Sequence, residues 1–200
     1  MNNSINKLRV TFLAHYYDEI IDMLYSSAVE AKLNLKAKLE KDLTDIVSDN
    51  VLSEEEKHEL ESYISDELFL SEKTTELAGE MMIVALYKTI EIAIKDMLRV
   101  SRLFTDIEMK KFSQADKLKK QIKNKICDTE TLKGYHAYNE LRLINNCIKH
   151  SGLVNDKLSA TYPSWKKNEK LQNLDKSYFR LKNDVNVFIK LLRDNVLAKM

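Results

Sequence analysis

The sequence predicts an all-α fold, and three observations carry that prediction. Only three glycines and one proline occur in 200 residues, whereas a sheet protein needs turn residues every ten positions or so. Hydrophobic residues make up 44%, enough for a packed core and too many for a disordered chain. Apolar residues recur at helical steps of three and four along nearly the whole length. Together these predict a bundle of about five to seven helices, opening with a long N-terminal helix, in one domain spanning residues 1–200.

Taken in order, residues 6–47 read as helix throughout, either one helix or two in line with a bend near Ser26 and Ser27. Leu8, Phe12, Ile20, Ile21, Leu24 and Val29 mark its buried side, followed by Leu33, Leu35, Leu39, Leu43 and Ile46. Ser53 and Glu56 form a capping box that opens a short surface helix with Leu60, Ile64 and Leu68 on its apolar face. Residues 74–104 are the most apolar segment and read as a central, multiply packed helix. Ser113 and Asp116 have the spacing of a second capping box, opening a basic helix that turns Phe112, Ala115, Leu118, Ile122 and Ile126 inward. The helix over 135–150 stops at Gly152. Residues 151–173 read as the longest loop and hold Tyr162 and Trp165, as a lid or as an anchor. The last helix, over 175–197, buries Phe179, Leu181, Val185, Phe188, Leu191 and Leu192.

The formal charge of +1 hides a segregation. Residues 53–80 hold ten acidic side chains and two lysines, and residues 109–126 hold seven lysines and one aspartate. The lysine-rich helix suits a phosphate backbone or an acidic surface, and its plainer reading is a solvated face. Cys127 and Cys147 lie twenty apart, with no CxxC and no histidine cluster at metal spacing, which suits a reduced, cytoplasmic protein without disulfide, metal or cofactor. The start MNNSINKLRV lacks an apolar signal core, and the richest apolar run, 81–87, is far too short to span a bilayer, so no membrane partner is expected. A glycine-rich phosphate loop, a GxSxG elbow and an HExxH pair are absent from the sequence. Cys147 near His150 reads as a buried thiol, and His15, His58 and His136 read as ordinary histidines.

Chemistry concentrates in the stretch YHAYNELRLINNCIKHSG, residues 135–152. Ala137, Leu141, Ile144 and Ile148 form a buried stripe, and Asn139, Arg142, Asn146, Lys149 and His150 fall on the other side. A guanidinium, carboxamides, an ammonium and an imidazole with no carboxylate among them make a natural anion face. Asn146 and His150 are one turn apart, and Arg142 is one turn further back. Histidine moves protons near neutral pH and arginine grips phosphate in two-pronged fashion; metal-free RNA cleavage needs both roles. Glu91, inside IEIAIK, is either an intrahelical partner of Lys88 and Lys95 or a half-buried carboxylate beside the polar stripe.

The run ELRLINNCIKHSG, an arginine followed by N-x-x-K-H-S-G at a helix end, resembles the final motif of HEPN-superfamily domains (higher eukaryotes and prokaryotes nucleotide-binding). MMIVALYKTIEIAIKDML resembles the HEPN helix that carries a tyrosine and a glutamate ahead of that motif. The resemblance spans residues 72–152. It implies a HEPN-like core, a homodimer, and a metal-independent endoribonuclease of toxin–antitoxin or phage-defence type with an antitoxin-like protein partner. Carried onto this chain, His150 is the catalytic histidine, Arg142 the phosphate-binding arginine and Asn146 their orienting neighbour. Lys149, Asn139, Tyr135 and Glu91 form the substrate-binding set. The chain departs from the family pattern: seven residues separate Arg142 from His150 where four to six are usual, and Leu143 follows the arginine in place of a polar residue. At the usual spacing the arginine's place falls to Asn145 or Asn146. The alternatives are a HEPN-like protein that binds RNA or nucleotide without cleaving, and a helical interaction module pairing its acidic stretch 53–80 with lysines 110–125 of a second copy.

Overall fold

In a computed structural model, residues 2–15 and 18–200 are described, apart from the side chains of Asn2 and Ser113. Scarcity of glycine and proline translates into very long helices. The elements are α1 (Asn2–Leu13), α2 (Asp18–Ser48), α3 (Glu54–Ser101), α4 (Asp106–Met109), α5 (Ala115–Lys125), α6 (Tyr135–His150), α7 (Asp156–Thr161) and α8 (Leu174–Lys199). Seven of them run six residues or more, so the chain is an all-α bundle of the expected size. Among the described residues no strand forms, and only Leu153 and Lys170 make an isolated bridge.

The core lies where the second half of α3 packs on α6 and α8. Ile83, Leu86, Ile90, Met97 and Leu98 of α3, Leu141 and Ile144 of α6, and Tyr178, Val185, Phe188, Ile189 and Leu192 of α8 are all 0–1% exposed. Each such side chain contributes roughly 1.5–3 kcal/mol of burial. Val10 of α1, Ala14 just after it, and Phe112, Leu118, Ile122 and Ile126 around α5 belong to the same core. No described helix is long and apolar enough to cross a membrane.

Several sequence expectations are corrected. The expected short helix at 53 and the central helix at 74 are one helix of 48 residues, α3, about 72 Å long at 1.5 Å per residue. Nothing breaks it: Thr74 and Thr75 donate their hydroxyls to the Leu70 and Ser71 carbonyls, and Gly79 sits inside the helix where the Asp175 backbone comes close. Ser53 and Glu56 do form the capping box at its start. The N-terminal helix is interrupted after Leu13, not at Ser26 and Ser27, where the Ser27 hydroxyl bonds the Met23 carbonyl and the helix continues. Helix α5 starts at Ala115 behind Gln114, which makes no side-chain cap bond; the Ser113 side chain lies outside the described residues. The second capping box is Thr105 with Glu108, on α4.

The largest correction concerns α1 and α2. Leu8, Phe12, Ile20, Leu24, Leu33 and Leu43, expected inside, are 36–69% exposed. Each of these helices is covered along one edge, α1 against α3 and α8 and α2 chiefly against α3, so the other apolar edges face water. Phe179 of α8, also expected inside, is 43% exposed.

Candidate functional site

Helix α6 begins on Gly134, which is held at φ 83°. A Cβ there would come within 2.0 Å of the Asp184 carbonyl, so only glycine lets α6 start this close to α8. That start places Tyr135, Tyr138, Asn139 and Arg142 around a cavity of about 300 Å³ that Phe188, Lys119, Asp116 and Glu130 also line. Tyr138 stacks on Phe188 at 4.7 Å between ring centroids, and Tyr135 meets the same ring edge-on at 5.9 Å.

Arg142 is oriented by Asn139. Its Nη2 and Nε donate to Asn139 Oδ1 at 2.8 and 3.3 Å, and Asn139 Nδ2 donates to the Tyr162 hydroxyl at 3.2 Å. Tyr162 in turn donates to the His136 carbonyl at 2.7 Å. The guanidinium makes no ion pair among the described residues. It also lines a second, shallower recess against α7, beside Asp156, Lys157 and Thr161. A half-buried guanidinium between two recesses, without a carboxylate partner, retains donors for a ligand anion.

Burial pushes the Tyr138 phenol far above its usual range. Burial, reinforced by the Glu91 charge, also raises Tyr87, with Arg142 pulling the other way. Burial raises Tyr162 against the opposing hydrogen bond from Asn139. All three stay neutral at physiological pH, so they offer ring faces and hydroxyls, not bases.

The remaining predicted residues are distributed differently. Glu91 accepts from Lys95 at 2.8 Å and lies 3.9 Å from Lys88, the intrahelical arrangement, while its charge still reaches Tyr87 and Tyr138. Lys149 is exposed, with its ammonium 5.9 Å from the centre of the Tyr87 ring. Asn146 is half-buried and His150 exposed, and no hydrogen bond joins them. His150 lies eight positions after Arg142, about 12 Å along the axis. The single chain therefore brings together Tyr135, Asn139 and Arg142, and it leaves His150 at the other end of the helix. No described group of three His, Cys, Asp or Glu side chains is arranged to hold a metal.

Two features of α6 escaped the sequence reading. Glu140 is 3% exposed and accepts a bidentate pair of bonds from Arg180 at 2.6 and 3.0 Å. It also accepts from Trp165 Nε1 at 2.8 Å. This carboxylate fixes the 151–173 connection to the bundle, so Trp165 and Tyr162 act as anchors. The signal was Glu140 sitting on the apolar flank beside Ala137 and Leu141, where a charge requires a partner. Asn145 is 0% exposed, and neither polar atom of its amide has a hydrogen-bond partner among the described residues.

A further cavity, about 480 Å³ between Tyr25, Glu76 and residues 170–175, contains none of the predicted residues. No known family, curated protein or solved structure matches the chain. The HEPN resemblance rests on the quoted residues.

Proposed function

We propose that this chain is a HEPN-like protein that binds RNA through the Arg142 cavity, and that a single copy binds without cutting. The observation behind this reading is the guanidinium, free of ion pairs among the described residues and set by Asn139 on the wall of a cavity that Tyr135 also lines. Arg142 would hold a phosphate, and Tyr135 would give a base an aromatic wall of the kind single-stranded RNA is read with. Lys119 faces the same space with its ammonium 5.8 Å from the centre of the Tyr135 ring, although Glu130 pairs with it.

Cleavage is the second reading, in the toxin or phage-defence setting with an antitoxin-like partner that the resemblance implies. Its support is that His150 is exposed and has no side-chain partner among the described residues, hence is open to the Arg142 of a second copy. One assay separates the two: labelled single-stranded RNA in excess EDTA, with wild type, Arg142→Ala and His150→Ala. The binding reading expects no cleavage, a loss of roughly tenfold or more in affinity for Arg142→Ala, and wild-type affinity for His150→Ala. The cleavage reading expects both variants to be inactive alone and active when mixed, because a mixed dimer rebuilds one intact Arg–His pair. Wild-type affinity in Arg142→Ala would refute the assignment of the cavity.

A further inference from the structure

The hairpin of α2 and the first half of α3 is built on a seam too polar to hold it alone. Its inward positions recur at alternating steps of four and three, from Ile21 to Ile46 on α2 and from Lys57 to Met82 on α3. That is the 3.5-residue repeat of a coiled coil. Yet Lys32, Asp42, Lys57, Glu61, Ser71 and Thr75 occupy such positions. Across residues 33–71, Leu39 and Ile64 are the only described residues that are fully buried.

A second apolar seam runs along one flank of the same hairpin. Leu60, Tyr63, Leu70, Leu77 and Met81 of α3 and Leu24 of α2 share that flank and are 39–69% exposed. At the root, Leu24, Leu77 and Met81 border an open, almost wholly apolar groove of about 320 Å³. The opposite flank of the root is closed: Tyr25 donates to Asp175 at 2.8 Å, and Lys170 pairs with Glu76 at 3.1 Å. At the root, one flank is thus covered by the chain's own 170–175 segment, and the other presents Leu24, Leu77 and Met81 to water; further along the hairpin, Leu33, Leu43, Val47 and Phe69 are exposed as well, off this seam.

We infer that a second copy of this chain covers that flank, the two hairpins packing as a four-helix bundle. A two-fold axis parallel to the hairpins would lay α3 of one copy on α2 of the other, antiparallel. The charges suit this pairing. Glu59, Asp66 and Glu67 border the apolar stripe on α3, Lys38 and Lys41 lie on the matching flank of α2, and the ion pairs within the hairpin use other residues. An anionic lipid surface would be repelled by the same carboxylates. Six side chains leaving on the order of 100 Å² each in water give about 600 Å² of apolar surface per copy, before lysine stems are counted. That approaches the ~800 Å² per partner of a standard interface. The pairing uses a surface apart from α6 and does not rest on RNA binding.

The test is sedimentation equilibrium of the full chain from about 1 to about 200 µM. Wild type is expected to dimerise, and Leu70→Asp with Leu77→Asp to weaken dimerisation at least 100-fold with unchanged far-UV helicity, since both positions already face water. Lys38→Glu with Lys41→Glu should weaken it less, and adding Glu59→Lys with Asp66→Lys should restore it. A wild type that stays monomeric across the range, or a dimer indifferent to the two leucines, overturns the inference. A dimer broken by the leucine changes but indifferent to charge reversal overturns the α3-on-α2 arrangement.

Discussion

Asn145 and Glu140 lie five residues apart on one helix and treat polarity in opposite ways. Glu140 is buried and fully answered, by Arg180 and Trp165; Asn145 is buried and its amide makes no hydrogen bond among the described residues. An unpartnered buried amide costs about 1–3 kcal/mol, and an apolar side chain of similar size does not incur that cost. Asn145→Leu is therefore expected to raise Tm by roughly 2–4 °C, the shift that about 1 kcal/mol produces in a chain of this size. A lowered Tm would show that something outside the protein chain holds that amide. For Glu140 the expectation reverses. Arg180→Ala strands a buried carboxylate, and because the Arg180 side chain is 55% exposed, solvent screening reduces the cost to about 2 kcal/mol. Urea unfolding at neutral pH measures it. Replacing Glu140 and Arg180 together by leucine should recover most of the loss; failure to recover would mean the pair does more than neutralise itself.

At the scale of elements, the α4–α5 junction has a titratable clasp. Lys125 bonds Glu108 at 2.8 Å, and the Thr105 backbone N–H donates to the same carboxylate at 2.8 Å. These bonds, Lys125 first, pull Glu108 down to about 2. A carboxyl depressed in the folded state adds stability above its unfolded value, near 4.3, and that stability is lost as pH falls toward 2. Wild type should lose Tm more steeply than Glu108→Gln between pH 5 and pH 2, with the two curves converging at the acid end. Parallel curves would show that the clasp contributes nothing. The same bonds explain why part of the lysine-rich stretch is not a free phosphate-binding face: Lys119, Lys123 and Lys125 already pair with Glu130, Asp128 and Glu108. That leaves less charge for the pairing with stretch 53–80 that the sequence suggested.

For the whole molecule, what could be read from sequence follows from where the physics is local. Helical content and the core of α6 and α8 were readable because turn-residue scarcity and spacing of three and four are properties of neighbouring residues. The fusion of two expected helices into α3 was not, because Thr74 and Thr75 are weak helix formers whose hydroxyls are absorbed by the helix's own carbonyls. The exposure of Leu8, Phe12 and Leu24 was hidden as well: a periodic stripe shows that a face is apolar, and only tertiary structure shows whether anything covers it. At the candidate site, Arg142 and Asn139 were found from the polar stripe of one helix. Lys119, Tyr162 and Phe188 were out of reach because they arrive from other segments. One helix face also could not reveal that Arg142 folds back toward Asn139, away from His150.

The central claim is that Arg142 holds a phosphate, and counterion release tests it directly. Affinity for a short single-stranded RNA, measured by fluorescence anisotropy across a salt series, gives a slope of log affinity against log salt. Removing one phosphate contact should lower that slope by about 0.7 for a single strand. The account expects Arg142→Ala to bind more weakly and to show this shallower slope, while His150→Ala retains both the affinity and the slope of wild type. An Arg142→Ala slope equal to that of wild type would contradict it.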